Sequence, residues 1–577
     1  MFKFIKGLAV VIATVLSTVA TISWFQSFME TPNSTIAIIF LIYIGIYWLF
    51  FRVLFEEWGE LFHLGTVIFS MLFTLAFLTS IYQPMEHLND NGTLVHAFIY
   101  VGTFVTFTLV SILLIYLFTK VNIEIKDKQV SKWNIAFYGF PMAIVGTLFL
   151  LGFFPGEMSP DSFSHWTQIH THEYNNWHPV VYTWLIQLLT VFWYSPAVVG
   201  TFQIIALSLT LGYGLYRFQK AGVPRTVLWI VAILFAIHPA TGMFSIILWK
   251  DILYSTALML FTILLFNIVA TRGAWLSSIS HLVFFGLTAL SMMFMRSNGV
   301  PILLLLIVLL LLVYRNQWKK LGIFAVSVFA IYFIVSGPVY SALNVEEGDP
   351  NEALGIPQQQ LARVVVEGGE MNGAQQQYVY KLLPRDKWFE LYNPYLTDPI
   401  KFSGIYNKEL IFSDFPYFLK VWALVVKNNP GLVMDAYLDQ TSLVWQIVEP
   451  EDGYTNTYPG GIFRANTYGI KQTPVSDGLH EFLTGYLEGS FENYKEWFWR
   501  PATYTFFILF FSFIAVRKIG FRSLLVSGPV LMNTAIVAAA IPAQDYRYLF
   551  ANTLIAFIIF LMALVKKEEE HVFGIKV

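Results

Sequence analysis

Residues 154–180 read FPGEMSPDSFSHWTQIHTHEYNNWHPV. This stretch decides the fold because it is a polar interruption between long apolar runs. It carries Glu157, Asp161, Glu173, His165, His170, His172 and His178, together with Trp166 and Trp177. A connector that only reversed the chain would need a few polar residues and a Gly or Pro. The runs on either side set its level in the molecule. Residues 7–24, 36–49, 64–82, 98–118 and 133–153 are each near the ~20 apolar residues that cross hydrocarbon. Helices satisfy their own backbone in lipid, so a chain of such runs reads as a helical membrane protein.

Composition agrees. Of 577 residues, 56% are hydrophobic and 12% charged, about half the charged share of a soluble domain. The formal net charge of −2 gives no pull toward nucleic acid, and zero cysteines exclude disulfides, thiolate metal sites and a Cys nucleophile. The N-terminal MFKFIK and its long apolar run read as a retained anchor, since no small-x-small cleavage site follows.

Orientation follows from Lys and Arg in short loops. Lys3 and Lys6, the loop holding Lys120, Lys126, Lys128 and Lys132, and the tail from Lys566 all read as cytoplasmic. Residues 154–178 then face outward. Counting from both ends leaves 179–216 with an odd number of crossings, so 180–194, with its Trp and Tyr residues, is expected to lie in the interface. The expected fold is an all-α polytopic membrane protein of about 14 transmembrane helices, both termini inside, with a mixed extracytoplasmic domain toward the C-terminal third. The expected divisions are a four-helix module at 1–132, a membrane core at 133–340, an external segment at 341–498, and a closing three-helix portion with a cytoplasmic tail at 499–577. The external segment is the size of a small domain rather than of a loop.

Ser159-Pro160-Asp161 is a helix start: Ser as N-cap, Pro at the first helical position, an acid in the first turn. A helix running to His172 puts Asp161, His165 and His172 on one face. Singly, Asp161 would only complement the helix dipole; the whole cluster points to chemistry. Those three side chains also leave a divalent metal open, although no metal motif supports it. His178 enters the next apolar run in Trp177-His178-Pro179. Lys250 and Asp251, Arg296, and Tyr546 with Arg547 stand at other outward ends. Positive-inside statistics disfavour Lys250, Arg296 and Arg547 there. A shared anionic ligand at the outer surface explains all three, because Arg and Lys read phosphate.

These features resemble the GT-C superfamily of integral-membrane glycosyltransferases. The matching residues are the acidic outer loop 156–162 (GEMSPDS), His178-Pro179, Asp251 at the following outer turn, and Tyr546-Arg547-Tyr548 opening the last helix. Within it, the chain is similar to the protein mannosyltransferase and aminoarabinose transferase branch, and most of all to bacterial membrane proteins carrying DSxxHW and WHPV. The resemblance covers residue 133 onward. It departs at Asp161-Ser162, where protein mannosyltransferases have adjacent Asp and Glu, and no WWD motif is present. The resemblance implies transfer of a monosaccharide from a polyprenyl-phosphate donor to a cell-envelope glycan, polymer or protein outside the cytoplasmic membrane. Asp161 is then the base, with Glu157 or Asp251 in support. His178, Lys250, Arg296 and Arg547 hold the donor phosphate, and His165, Trp166, Trp177 and Tyr546 contact substrate. No cofactor is required, a divalent metal stays open, and a polyprenyl-phosphate glycosyl synthase and a flippase become functional partners. In the external segment, Arg363 and Arg464 are the cations expected to shape the acceptor site. The alternative, a lipid-sugar flippase or transporter, predicts charges at mid-membrane and paired broken helices.

Overall fold

The computed structural model describes residues 2–25, 33–82, 93–121, 123–124 and 129–566. Lys126, Lys128 and the tail from 567 onward, used above for orientation, lie outside the described residues. The chain divides into two compact units, Met1–Asn122 and Ile123–Val577.

The first unit holds α1 (Phe2–Phe25), α2 (Asn33–Glu56), α3 (Leu64–Ser80) and α4 (Thr93–Lys120). In lipid there is no hydrophobic drive between helices, so small and hydroxyl side chains do the joining. Ser17 meets Tyr47 at 2.5 Å, Thr21 meets Tyr43 at 2.9 Å, and Thr106 donates to Ser17 at 2.9 Å. Ser111 donates to Ser70 at 3.1 Å. Lys120 closes α4 on Glu57 and Glu60, at 2.5 and 2.6 Å.

The second unit begins with α5 (Asn134–Gly152), α6 (Pro160–Thr171), α7 (Val180–Phe192), α8 (Ala197–Lys220) and α9 (Arg225–Ile237). It continues with α10 (Lys250–Ala270), α11 (Ile279–Met295), α12 (Gly299–Val313) and α13 (Trp318–Ile334). After a run of shorter helices that includes α14 (Gly355–Val366), α15 (Phe415–Asn428) and α16 (Pro430–Gln440), it ends with four long ones. These are α17 (Asp477–Phe498), α18 (Pro501–Ile519), α19 (Leu524–Ala540) and α20 (Phe550–Leu564). A two-residue parallel ladder pairs Ile123 with Val565. Nine helices among the described residues are long and apolar enough to cross a membrane, and six more are apolar but shorter. The protein is therefore an all-helical, membrane-embedded chain. Where a mixed segment was expected, residues 341–498 have helices as their regular elements, with isolated bridges and no ladder strand among the described residues. An apolar cluster there joins Leu361, Val364 and Val365 of α14 to Trp388, Phe418 and Val425. With 13 residues, α7 extends about 20 Å, less than the ~30 Å hydrocarbon core.

The α5–α8 pair carries the site region and depends on two glycines. A Cβ at Gly212 would sit 2.0 Å from the Ile135 carbonyl oxygen, and one at Gly139 would sit 2.4 Å from that of Ser208. The backbones touch there as small residues permit. Gly212→Ala is expected to destabilise the protein by about 1–3 kcal/mol or more through overpacking, read as a lower unfolding midpoint in detergent. An unchanged midpoint would mean that α5 and α8 can part without cost.

Candidate active site

The polar stretch after α5 is anchored before it becomes helical. Gly156 has φ 115°, and a Cβ on it would lie 2.7 Å from the Ile246 carbonyl oxygen. That conformation and that space admit glycine alone. The next residue pairs in strand fashion: Glu157 N–H donates to Ile246 O at 3.2 Å, and Leu248 N–H to Glu157 O at 3.1 Å. Ser159 caps α6 in a reciprocal box with Ser162, and Pro160 occupies the first turn, as the sequence predicts. The Ser162 hydroxyl donates to Leu248 O at 2.9 Å, and the Trp249 indole to Ser159 Oγ at 2.8 Å. The start of α6 is thus tied to the residues just before α10, which sets Asp161 near Lys250 and Asp251.

Contacts of alternating charge run through the site. Asp545 Oδ2 lies 2.8 Å from Arg547 Nε, and Arg547 Nη1 donates to Asp161 Oδ2 at 2.6 Å. Asp161 Oδ1 faces His178 Nε2 at 3.5 Å, and His178 Nδ1 meets Lys250 Nζ at 3.0 Å. Lys250 is 3.8 Å from Asp251 Oδ2, and Asp251 Oδ1 is 3.0 Å from Arg296 Nη1. Arg547 also lies over the Trp249 ring, and Arg296 over Tyr254 and Tyr548.

Protonation follows from surroundings. Burial alone would raise the Asp161 carboxyl, but the His178 hydrogen bond and the charges of Arg547 and Lys250 outweigh it and hold the group well below the usual range. Burial, reinforced by Lys250, lowers His178, with Asp161 opposing. A neutral His178 therefore accepts from Lys250, which can only donate, and presents Nε2–H to Asp161. Three carboxyl groups, Asp161, Asp251 and Asp545, thus face three basic side chains, Lys250, Arg296 and Arg547.

The cluster stands between two cavities. One, of about 860 Å³, is lined by Lys250, Arg296 and Trp177 on one side and by Tyr332, Ser336 and Glu346 on another. The other, of about 630 Å³, is lined by Asp161, Trp249, Asp545, Arg547 and the 456–465 segment, including Arg464. That segment is held by strand-like bridges from Met158 to Ile462 and from Asn456 to Asp545.

Of the residues singled out from sequence, Asp161, His178, Lys250, Asp251, Arg296 and Arg547 come together. Trp177 stays at the first cavity, 43% exposed, its ring 5.9 Å from Phe402. His165 is buried behind the cluster, its ring 5.5 Å from that of His178 and its Nδ1 2.7 Å from Thr183 Oγ1; burial keeps it neutral. The others are placed elsewhere. Glu157 is fully buried and accepts from Gly461 N–H at 2.7 Å and from Gln472 at 3.4 Å, so it fastens the 461–472 segment. Trp166 is buried against His170 and Tyr194. Tyr546 turns into the core, its hydroxyl 2.5 Å from Thr553 and its ring against Phe244 and Trp499. Asp161, His165 and His172 do not converge: His172 ends α6 at φ 57° beside Tyr174. Among the described residues no group of three or more such side chains is placed to hold a metal ion. Arg363 pairs with Asp439 and Glu367 away from the cluster.

The sequence marks Ser159 as the cap of α6 and Tyr548 in the opening of the last helix, but it assigns neither of them, nor Asp545 or Trp249, a place in the site. A 3₁₀ turn at Tyr546–Leu549 aligns residues three apart, so Asp545 and Tyr548 share the site face while Tyr546 points inward. The adjacent Trp249-Lys250 pair was the available signal for the indole.

Burial raises the Glu157 carboxyl to about 7, against the smaller opposing effects of Gly461 and Gln472. A carboxyl raised in the folded state stabilises that state at low pH, and the contribution fades as pH climbs from the group's ordinary value of 4.5 to about 7. Amide exchange at Gly461 is therefore expected to quicken over that window, beyond the intrinsic pH dependence, and to lose this extra component in Glu157→Gln. The same pH response in the variant would exclude Glu157 as its source.

No curated protein and no solved structure matches the chain. A family model described as "Family of unknown function (DUF6020)" matches residues 4–573. With nearly its whole length matched, the chain belongs to that family.

Proposed function

We propose that this protein is a membrane glycosyltransferase of GT-C type, moving a monosaccharide from a polyprenyl-phosphate donor to an extracytoplasmic acceptor. The observation that carries the reading is the relation of the two cavities. Asp161 opens on one, Lys250 and Arg296 on the other, and His178 joins them through contacts of 3.0 and 3.5 Å. Donor phosphate would lie in the first cavity, and the acceptor would approach through the second, beside Arg464 and Trp249. The acceptor is a cell-envelope glycan, polymer or protein. The active site faces outward across the cytoplasmic membrane, with about 14 crossings, α7 in the interface and both termini inside.

The reaction forms a bond from the acceptor oxygen to the anomeric carbon as the bond from that carbon to the phosphate oxygen breaks. The lipid phosphate leaves with the electron pair, and the acceptor proton passes to Asp161. A single displacement of this kind inverts the anomeric centre. Asp161 pinned by Arg547 is a weak base at rest. Phosphate entering beside Lys250 would share the cations that now depress Asp161 and so raise its basicity. The added negative charge would also favour a proton on His178, whose imidazolium then steadies the departing phosphate. Asp251, held between Arg296 and Lys250, positions both cations. Glu157 supports the acceptor side by holding the 461–472 segment.

Wild-type protein in proteoliposomes, offered a panel of radiolabelled polyprenyl-phosphate monosaccharides, is expected to release label to an acceptor or to water. Movement of intact lipid-sugar between leaflets, with no cleavage, would replace this reading with a flippase. A polyprenyl-phosphate glycosyl synthase and a flippase would supply the donor.

A further inference from the structure

The middle of α19, an apolar helix, carries a fully buried asparagine, Asn533. Its Oδ1 accepts two hydrogen bonds, from the Tyr254 hydroxyl at 2.8 Å and from Asn298 Nδ2 at 3.2 Å. Its Nδ2 is buried with no hydrogen-bond partner among the described residues. Burying an unpaired donor is unfavourable, and a leucine would fill the position without that penalty. What the asparagine supplies is one acceptor shared by two neighbours.

Both neighbours bear on Arg296. Tyr254 lies three residues after Asp251 on α10, so the two share a face. The Arg296 guanidinium stands over the Tyr254 ring, 5.8 Å from its centroid, and 3.0 Å from Asp251 Oδ1. Asn298 lies two residues after Arg296, in the turn that opens α12 and is closed by Gly299 N–H donating to Arg296 O at 3.0 Å. Arg296 and Asn298 thus hold the two ends of one tyrosine: the guanidinium covers its ring, and the amide reaches its hydroxyl through Asn533. Arg296 is among the described residues that line the first cavity, whereas Tyr254, Asn298 and Asn533 are not among those lining either cavity.

We infer that Asn533 is a positioning residue, which seats Arg296 at the first cavity by fixing Tyr254 and the 296–299 turn together. The inference rests on the donor reading above, in which Arg296 meets the phosphate, and adds what holds that cation in place. A long arginine side chain loses much rotamer freedom on binding, and a fixed turn and a fixed ring remove that freedom beforehand.

The test is binding of long-chain polyprenyl monophosphate to the full chain in detergent micelles, with the unfolding midpoint measured alongside. Arg296→Gln is expected to weaken binding by at least about tenfold, the loss of a charged hydrogen bond. Asn533→Leu is expected to weaken it about threefold to tenfold, the effect of one hydrogen bond. In the Arg296→Gln background Asn533→Leu should cause no further loss, since residues that act through one another are not additive. Tyr254→Phe removes the hydroxyl, keeps the ring under Arg296, and should give the same pattern; it carries the test if Asn533→Leu does not fold. Asn552→Leu is the control. Asn552 is equally buried, on α20, and donates to Thr505 and Thr534 at 2.8 and 2.9 Å; its loss should lower the midpoint and leave phosphate affinity unchanged. Unchanged affinity in both Asn533→Leu and Tyr254→Phe, losses that persist in full in the Arg296→Gln background, or an equal loss in Asn552→Leu would make Asn533 a structural staple and overturn the inference while the donor reading stands. If wild type binds no polyprenyl phosphate, or Arg296→Gln binds it as tightly as wild type, the donor reading falls and takes this inference with it.

Discussion

Asp161→Asn is expected to lower sugar transfer by about 10²–10⁴-fold, the usual worth of a positioned general base. The amide keeps the volume of the carboxylate and can still accept from Arg547, so the second cavity should retain its shape. Arg547 also keeps Asp545 at 2.8 Å, which leaves this buried cation compensated. The loss should therefore appear in kcat, with little change in donor KM, because Asp161 does not line the cavity of Lys250 and Arg296. Initial rates in proteoliposomes across donor concentrations separate the two parameters. Asp161→Glu is the companion variant: it restores a carboxylate in a shifted position, and partial activity is expected. Turnover of Asp161→Asn equal to wild type would move the base to Asp251, since Glu157 is sequestered beneath Gly461. An increase in donor KM alone would make Asp161 a binding residue.

Arg500→Met is expected to give the largest loss of stability. Arg500 is fully buried. Its Nε and Nη2 donate to Gln446 O at 3.1 and 2.7 Å, Nη2 also to Ser442 O at 3.0 Å, and Nη1 to Thr455 Oγ1 at 2.9 Å. Thr455 in turn donates to Glu449, which pairs with Lys495. One guanidinium thus fastens residues 442–455 to the start of α18. Methionine fills comparable space but leaves those oxygens without their donor. Breaking a buried charged network at one partner costs about 3–5 kcal/mol. The expected readout is a clear drop in the unfolding midpoint in detergent, with Arg500→Lys intermediate because it keeps charge but loses the planar fork. The 456–465 wall of the second cavity should loosen first, since Thr455 directly precedes it. A midpoint unchanged in Arg500→Met would mean that solvent reaches these carbonyls and that the fastening lies elsewhere.

The residues that the sequence marks are those whose meaning is local. Apolar runs become helices because a buried backbone in lipid has nowhere else to bond. Ser159, Pro160 and Asp161 start α6 because capping depends on a few neighbouring atoms. Lys250, Arg296 and Arg547 stand out because cations are rare at helix ends that loop charge is expected to place outside. None of this required knowing what packs on what.

Partnership is where sequence reading stops. Asp161 and Arg547 are 386 residues apart, and no periodicity links them. Glu157 and Asp161 look alike in the same loop, yet one is buried under Gly461 and the other opens on a cavity. The difference arises from the Glu157–Ile247 bridge and the turn of α6, not from residue type. Tyr546, expected to contact substrate, points into the core while Asp545 faces Arg547, because the 3₁₀ turn separates the two neighbours. The chemistry-bearing residue types, the helices and their ends are fixed by bonding and solvation within a few residues of each position. Which carboxylate faces which cation, and the two cavities they separate, arise only when distant helix ends are packed together, because only then are burial and Coulomb distance defined.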